Sequence, residues 1–378
     1  MTKKILFLTG TRADFGKLKP LMQAVAASPH FDLSLFVTGM HTLSRYGYTV
    51  EEVHKSGFNH VHVFMNQIHG EPMELVLANT IEGLSRYIHE HKPDMLVVHG
   101  DRVEALAGAI VGSFQNILVA HVEGGEVSGT IDGLIRHSIS KLSHLHFVAN
   151  IEAADRLRQL GRNPDSIFVI GSPDIDVMLS ASLPELAKVK SYYDIPFDDY
   201  AIAIFHPVTT ELDKLRDEAA AFVDALVESG RRYVIIYPNN DEGCDNIFFA
   251  YRSLENDPRF RLLPSLRFEY FLTLLKHARF IIGNSSAGIR EAPVYGVPTI
   301  NVGTRQQDRY HYQSILNAEN SKASILEAIS RIDALPPMEP SDHFGTGNSA
   351  EHFMLGLASP ELWQTPKQKK FFDVPLEK

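Results

Sequence analysis

Short apolar runs rich in β-branched residues alternate with longer helical patterns along almost the whole chain of 378 residues. Several runs are apolar on both faces, which is typical of strands buried in a parallel sheet covered by helices. This alternation predicts an α/β fold. The predicted strands are 5–8, 33–37, 95–99, 117–122, 145–149 and 167–170 in the first half, and 201–205, 233–237, 280–282 and 299–302 in the second.

The alternating pattern is interrupted once, between Pro173 and Pro196, and then begins again. A chain of this length accommodates about two domains of ordinary size. We therefore expect two doubly wound, Rossmann-like α/β domains that face each other across a cleft, one from residues 1–172 and one from residues 173–359. The predicted helices between the strands are 17–27, 72–91, 103–114, 134–143 and 211–229.

The overall charge and the cysteine content exclude several classes of protein. The net charge of -10 argues against binding to nucleic acid or to an anionic membrane. With the single cysteine Cys244 an internal disulfide cannot form, so a reducing compartment is expected. The first apolar run is too short for a signal peptide, and no stretch is long enough to span a membrane. We expect a cytoplasmic protein.

Paired serines follow the apolar run 280–282 at the start of a helical pattern. In this segment Gly283 and Asn284 precede Ser285 and Ser286, and Glu291 lies further along the same predicted helix. Backbone N–H groups and hydroxyls at a helix start can hold a phosphate, and Glu291 can accept hydrogen bonds from a ribose. A serine that merely caps an ordinary helix gives the same pattern.

In doubly wound sheets, ligands bind outside the carboxyl ends of the strands. The loop after the first predicted strand has its glycines one residue too far apart for a P-loop, and Leu18 stands where a magnesium-binding serine or threonine is needed. Arg12 in this loop can still reach a phosphate or carboxylate, although a surface ion pair is an equally simple interpretation. The other loops with polar residues at strand ends are 100–102, 123–126, 206–207, 238–240 and 303–305.

Three carboxylates are predicted near the carboxyl ends of neighbouring strands. Asp101 and Glu123 each end an apolar run, and Asp132 lies in a glycine-rich loop before a helix. Grouped acids raise one another's pKa and can serve as proton donor and acceptor. Individually, Asp132 can be a helix cap and Glu123 the partner of an arginine. Together the three favour acid–base chemistry.

The 18 histidines include two pairs in H-x-H spacing, His60 with His62 and His144 with His146. Neither pair has a third ligand at a convincing spacing, so packing or surface roles are favoured over a zinc site. His206, after a predicted strand, is a better functional candidate, since it can pair with a phosphate or move a proton.

Taken together, these motifs resemble the UDP-N-acetylglucosamine 2-epimerase family over nearly the whole chain and in order. The resemblance is nearest to the hydrolysing branch that makes N-acetylmannosamine for bacterial sialic acid, through Asp101-Arg102 and the run 128–132. The matching segments are 10–14 (GTRAD), 99–102 (HGDR), 121–126 (HVEGGE), 206–209 (HPVT), 283–288 (GNSSAG) and 303–306 (GTRQ).

The resemblance implies a glycosyltransferase-B-like fold with UDP mainly on the second domain. Ser285 and Ser286 would hold the diphosphate, assisted by Arg12 and His206 from across the cleft, and Glu291 would bind the ribose. The C-terminal tail, 360–378, would return to the first domain, with a helix-like stretch around 360–372. The remaining implied ligands are Asn240, Leu266 and Phe271 around the uridine, and Arg102 and Arg305 as positive groups near the nucleotide.

The implied reaction removes the proton at sugar carbon 2 while UDP leaves carbon 1, and water then adds across the double bond of the 2-acetamidoglucal. Asp101, Glu123 and Asp132 supply candidates for the base and the acid, with no assignment between them. Arginine, histidine and the serine segment stabilise the departing diphosphate. Neither a metal nor a redox cofactor is implied.

Alternative interpretations remain open at this level. A UDP-sugar glycosyltransferase has the same architecture, but a simple transfer needs at most one base. An epimerase that keeps UDP attached, or a non-catalytic UDP-sugar sensor, are further possibilities, although a sensor has no use for three acids. The sugar can be N-acetylglucosamine or a relative such as diacetylbacillosamine. The resemblance suggests a homodimer or homotetramer.

Overall fold

Two compact α/β units make up the chain in a computed structural model that describes residues 2–128, 131–306 and 310–374. The described part of the first unit covers residues 2–126, 132–180 and 343–374, and the second is built mainly from residues 181–342. Among the described residues, no helix combines the length and the apolar character needed to cross a membrane.

The first unit contains a sheet of seven parallel strands in the order β3-β2-β1-β4-β5-β6-β7. The strand order reverses between β1 and β4, and this is the switch point at which doubly wound sheets bind ligands. The strands are β1 (Lys3–Thr9), β2 (Phe31–Val37), β3 (Val61–Val63), β4 (Met95–His99), β5 (Leu118–Val122), β6 (Leu145–Val148) and β7 (Ile167–Val169).

Helices pack around this sheet, and two of them come from the C-terminal end of the chain. Phe353 lies in the same core as Phe7 and Phe147, with ring centroids 6.4 and 4.6 Å away. The helices are α1 (Arg12–Ala27), α2 (Val50–Lys55), α3 (Met73–His91), α4 (Val103–Phe114), α5 (Ile131–Leu142), α6 (Ile151–Gln159), α7 (Pro173–Met178), α14 (Ser349–Ala358) and α15 (Pro360–Trp363).

The second unit contains six parallel strands in the order β10-β9-β8-β11-β12-β13, with its switch point between β8 and β11. Stacked aromatic rings such as Phe205 on Phe222 fill its core. The strands are β8 (Ala201–Ile204), β9 (Tyr233–Ile236), β10 (Phe260–Leu263), β11 (Ile281–Gly283), β12 (Thr299–Val302) and β13 (Ile315–Ala318). The helices are α8 (Leu186–Tyr192), α9 (Leu215–Glu228), α10 (Cys244–Tyr251), α11 (Phe268–Lys276), α12 (Ala287–Arg290) and α13 (Lys322–Ile332).

The units are not divided where the sequence analysis drew the domain boundaries. Residues 173–180 and 343–359, which that analysis assigned to the second domain, belong to the first unit. The physical reason is packing, because α7 and α14 both lie against α1, and Lys17 forms a buried ion pair with Asp174 at 3.2 Å. In the tail, Trp363 stacks on Phe31, but only α15 is helical, not the longer stretch 360–372.

Candidate active site

Asp101 and Glu123 lie at the carboxyl edge of the first sheet, after the neighbouring strands β4 and β5. Gly100 turns the chain after β4 with a φ of 71°. One guanidinium links the two acids: Arg136 contacts the carboxylate of Asp101 and donates to the backbone carbonyl of Glu123 at 2.7 Å. The strand ends therefore bring these two predicted acids to one place.

The linking arginine comes from α5, the helix that also carries Asp132. Asp132 lies in the first turn of α5 rather than in the loop before it. Asp132 and Arg136 are four residues apart and so share one helix face. The buried Arg136, only 1% exposed, favours the ionised form of Asp101, whose side chain is 24% exposed and accessible to a substrate.

Glu123 is buried and held on both sides. One carboxylate oxygen accepts a 2.7 Å hydrogen bond from the hydroxyl of Ser172, and the other lies 3.3 Å from Nε2 of His99. The backbone of Glu123 has a φ of 64°, a left-handed conformation that is uncommon for a residue with a side chain. Strain of this kind is typical of residues whose position matters for function. The imidazole of His99 thus lies beside this carboxylate.

The buried His121 contacts the loop that carries Asp101 and holds it in place. Its Nε2 lies 2.8 Å from the carbonyl of Gly100, and its Nδ1 lies 3.0 Å from the hydroxyl of Ser140. Burial lowers the pKa of His121 to about 3, so the ring is neutral. The neutral ring donates to the carbonyl from Nε2 and accepts from the serine at Nδ1.

The two arginines predicted in the first domain lie at the same edge of the sheet. Arg12 begins α1, directly after Thr11, which forms a capping box with Asp14. Arg102 follows Asp101, and its Nε lies 3.3 Å from the buried carboxylate of Glu104. Both loops are thus held by side-chain hydrogen bonds.

In the second unit, His206 is tied to the end of β11 by Asn284. The amide of Asn284 accepts from the backbone N–H of His206 at 2.7 Å and donates to its carbonyl at 2.9 Å. The backbone N–H of Asn239 donates to Nδ1 of His206 at 3.0 Å. With Nδ1 acting as an acceptor, the neutral ring carries its proton on Nε2 and can donate it to an anion.

The paired serines follow Gly283, which has a φ of 131°. A Cβ on this residue would lie 1.8 Å from the carbonyl oxygen of Ile204, so only glycine permits this close approach of β11 to β8. Ser285 accepts a 3.3 Å hydrogen bond from the backbone N–H of Ala287. The helix after the serines is a single turn, α12, followed by a short 3-10 helix, so Glu291 lies just after α12 rather than on the same helix.

Arg305 lies after β12 and reaches back to the serine segment. Its guanidinium donates to the carbonyl of Asn284 at 3.3 Å, and the amide of the buried Gln306 donates to the same carbonyl at 3.2 Å. Because Asn284 directly precedes Ser285, Arg305 lies beside the serines. The second unit therefore places a histidine, two hydroxyls and an arginine at one switch point.

The other residues implied for nucleotide binding also lie in loops or helices at the carboxyl edge of the second sheet. Asn240 follows β9, Leu266 follows β10, and Phe271 lies on α11, and each is less than 10% exposed. Glu291 follows α12 and is 2% exposed.

The sequence analysis did not include several residues that position the site. Arg136, His99, Ser172 and Asn284 all contact a predicted residue, but none was among the predicted site residues. The spacing of four between Asp132 and Arg136 was the available signal for the arginine. Ser172 has no such signal, because it lies 49 residues from Glu123.

The paired histidines have structural partners in the first unit. Nδ1 of His144 accepts from the backbone N–H of Val119 at 3.0 Å, and burial lowers the pKa of His146 well below its usual value. His62 packs on the rings of Phe36 and Tyr87. These contacts are the packing roles that the sequence analysis favoured.

Known proteins match the chain over more than nine-tenths of its length. One relative is a UDP-N-acetylglucosamine 2-epimerase of Neisseria meningitidis serogroup B, 51% identical over 99% of this chain and 100% of its own. Another is the UDP-N,N'-diacetylbacillosamine 2-epimerase (hydrolyzing) of Legionella pneumophila, 31% identical over 93% of this chain and 94% of its own.

A solved structure supports the fold. The UDP-GlcNAc 2-epimerase of Methanocaldococcus jannaschii, in complex with UDP-GlcNAc and UDP, superposes with a TM-score of 0.80 at 21% identity, covering 94% of this chain and 99% of that one. The predicted glycosyltransferase-B-like fold of two Rossmann-like domains is thereby confirmed. Residues 23–357 match the family described as UDP-N-acetylglucosamine 2-epimerase. This chain belongs to the UDP-N-acetylglucosamine 2-epimerase family.

Proposed function

We propose that this enzyme is a UDP-N-acetylglucosamine 2-epimerase of the hydrolysing kind, which converts UDP-N-acetylglucosamine and water to UDP and N-acetylmannosamine for sialic acid biosynthesis. The observation that carries the proposal is the arrangement at the edge of the first sheet, where Arg136 joins Asp101 to the backbone of Glu123. Two acids in different surroundings suit a reaction that removes one proton and returns another.

In the first step, we assign the base to Asp101 because its carboxylate contacts Arg136, and a neighbouring positive charge favours the ionised form of an acid. It takes the proton from carbon 2, and the electron pair of that C–H bond forms a double bond to carbon 1. The bond from carbon 1 to the diphosphate oxygen breaks, and UDP leaves with its electrons. The product is 2-acetamidoglucal.

In the second step, water adds its hydroxyl to carbon 1 and releases its other proton to solvent, and a proton from an acid arrives on the other face of carbon 2. We assign that proton to the pair formed by Glu123 and His99, whose facing atoms are 3.3 Å apart. Asp132, which lies on the same helix face as Arg136, assists this proton transfer. Asp101 then releases the proton it took in the first step to solvent, and the acid takes a new proton from solvent. The outcome is inversion at carbon 2 and release of N-acetylmannosamine.

The diphosphate is held, in this proposal, by the second unit. Nε2–H of His206, the hydroxyls of Ser285 and Ser286 and the guanidinium of Arg305 are donors to an anion. Arg12 and Arg102 add positive charge from the first unit, and Asn240, Leu266, Phe271 and Glu291 surround the nucleoside. Donors aimed at a leaving diphosphate stabilise the charge that develops as the bond breaks.

Titration calorimetry with UDP tests the diphosphate assignment. We expect Ser285→Ala together with Ser286→Ala to weaken UDP binding by about tenfold or more, since two charge-assisted hydrogen bonds are lost. Ser253→Ala, an exposed serine on the same unit, is the matched control and leaves the affinity unchanged. Unchanged affinity in the double variant would place the diphosphate elsewhere.

UDP-N,N'-diacetylbacillosamine is a second candidate substrate. Its support is the similarity to the hydrolyzing UDP-N,N'-diacetylbacillosamine 2-epimerase of Legionella pneumophila. Side-by-side measurement of kcat/KM for the two UDP-sugars decides between them, and the proposal predicts a preference for UDP-N-acetylglucosamine. Accumulation of UDP-N-acetylmannosamine would instead indicate the non-hydrolysing reaction. Tight UDP-sugar binding without any turnover would indicate a sensor.

We further propose that the enzyme acts in the cytoplasm as a homodimer or homotetramer. The single cysteine and the family resemblance support these two assignments. Sedimentation velocity tests the oligomeric state, and a monomer at all protein concentrations would contradict it.

A further inference from the structure

A pocket lies at the amino edge of the first sheet, opposite the edge that carries Asp101 and Glu123. It encloses about 680 Å³ between the ends of α4, α5 and α6 and a strap formed by residues 367–371. The length of β5 separates it from Glu123, which is about 15 Å for a five-residue strand. The pocket is therefore distinct from the site described above.

The pocket is strongly basic in a protein whose net charge is -10. Its described lining contains five cationic side chains and no carboxylate. These cations are Lys141, Arg162, Lys367, Lys369 and Lys370. A pocket in the other unit is lined by Arg231 and Arg279, but there both of these arginines are paired with an acid. Asp333 forms an ion pair with Arg231, and Asp199 forms one with Arg279.

Two of the cations, the buried Arg162 and the half-buried Lys369, have no acidic partner among the described residues of the pocket. Arg162 is 5% exposed and its Nε has no hydrogen-bond partner, although its other nitrogens lie 3.2 and 3.5 Å from backbone carbonyls. Lys369 donates to the carbonyl of Lys141 at 2.8 Å and contacts that of Ser143. Burial and the neighbouring Arg162 and Lys141 lower the pKa of Lys369 to about 7.

The carbonyls at the ends of three helices offset part of this positive charge. Each helix end carries roughly half a negative charge, or about one and a half charges in all. Even with Lys369 only about half protonated near pH 7, the five side chains carry more positive charge than that, so a positive excess remains unless an anion binds. Buried cations without a counter-charge are costly, and an anion in the pocket would remove that cost.

We propose that this pocket binds a multiply charged phosphate compound of about nucleotide size. The volume lies within the usual range for small-molecule sites. Phe114 and Phe371 line the pocket and are largely exposed, and Nζ of Lys141 lies 5.3 Å from the ring of Phe371. Such rings stack on a nucleobase, while the cations hold the phosphates.

Calorimetric titration with tripolyphosphate and with ATP, in the presence of saturating UDP, tests the proposal. We expect one site, and at least tenfold weaker binding by a variant with Lys367→Gln and Lys370→Gln. Both lysines are exposed, so the fold should be retained. A variant with Lys55→Gln and Lys188→Gln has the same change in charge at exposed positions elsewhere and should bind within twofold of wild type.

Tighter binding of ATP than of tripolyphosphate would identify a phosphorylated nucleotide as the ligand class, and the reverse would identify a polyphosphate. Either result supports the site. Absence of binding would overturn the proposal, as would equal weakening in both pairs of variants, which indicates general charge attraction only. Loss of binding in the variant with Ser285→Ala and Ser286→Ala would assign the anion to the other site and also overturn it. Dissociation of an oligomer by the Lys367/Lys370 changes, seen by sedimentation, would assign this face to subunit contact instead.

Discussion

At the scale of single residues, Arg136 gives the two acids at the first switch point different surroundings. It contacts the carboxylate of Asp101 but only the backbone of Glu123, whose side chain is left to Ser172 and His99. One acid thus faces a full positive charge, and the other faces a hydroxyl and an imidazole. This difference is the physical basis for assigning them to the two proton transfers.

We predict that Asp101→Asn, Glu123→Gln and Asp132→Asn each lower kcat by about 10² to 10⁴, the usual contribution of a positioned acid or base. Steady-state kinetics measures the loss, and circular dichroism establishes that each variant is folded. Asp165→Asn, an exposed acid on the same unit, is the control and keeps wild-type activity. Near wild-type turnover in all three variants would show that these acids are not the catalytic groups.

The buried histidines predict how stability depends on pH. Burial lowers the pKa of His41 to about 4 and that of His121 to about 3 in the folded chain. The unfolded chain takes up these protons below its ordinary pKa of about 6.5. The stabilisation is therefore complete above pH 6.5 and is lost as the pH falls towards 4, by roughly a kcal/mol per pH unit for each histidine.

Urea unfolding at a series of pH values measures this slope in the wild type and in His121→Gln. The variant should lose stability less steeply between pH 6.5 and 4, because one proton-uptake site is gone. Identical slopes would mean that His121 is not neutral in the folded chain.

At the same scale, the sequence allowed us to predict the site residues that lie at strand ends. It did not allow us to predict the residues whose side chains contact and position them. Asp101, Glu123 and His206 follow apolar runs, so the position of each was visible in the pattern. Arg136 lies inside an amphipathic helix, where an arginine is usually read as part of the solvated face. Ser172 meets Glu123 only through folding over 49 residues.

At the scale of secondary-structure elements, the end of β11 shows how backbone geometry positions the second site. Gly283 allows β11 to approach Ile204, and Asn284 can then hold both His206 and the Arg305 side chain. The glycine in this segment therefore supports the proposed diphosphate site indirectly, through the close approach of two strand ends.

We predict that Gly283→Ala lowers the free energy of unfolding by more than 3 kcal/mol, because it combines an unfavourable φ with a steric clash. Gly230→Ala is the matched control. Gly230 also has a positive φ, 66°, but no atom lies within 4 Å of the added Cβ, so only the conformational cost of about 1 kcal/mol is expected. Chemical denaturation measures both variants. Equal losses of unfolding free energy would show that the close approach of Gly283 to Ile204 does not contribute to stability.

The strands that the sequence pattern missed are all at sheet edges. β3, β10 and β13 each pair with a single neighbour, and none of them is buried along its whole length. An edge strand does not need a continuous apolar run, so the hydrophobic pattern that predicts a strand from the sequence is weak there. Central strands such as β4 and β12 were predicted with their observed bounds, because both of their faces are covered.

At the scale of the whole molecule, the two-domain class was predictable, but the path of the chain between the units was not. Helical periodicity indicates that α14 is a helix without indicating which sheet it covers. Phe353 decides this by packing between Phe7 and Phe147, more than 200 residues away along the chain. A contact between such distant segments leaves no local signal in the sequence.

The most direct test of the proposed reaction is the fate of the hydrogen at carbon 2. The enzyme is incubated with UDP-N-acetylglucosamine in deuterium oxide, and the released sugar is examined by NMR. Elimination followed by addition of water predicts free N-acetylmannosamine that carries deuterium at carbon 2, since the proton that is removed exchanges with solvent. Free N-acetylglucosamine with its original hydrogen at carbon 2 would mean simple hydrolysis of the glycosyl bond and would contradict the proposed reaction.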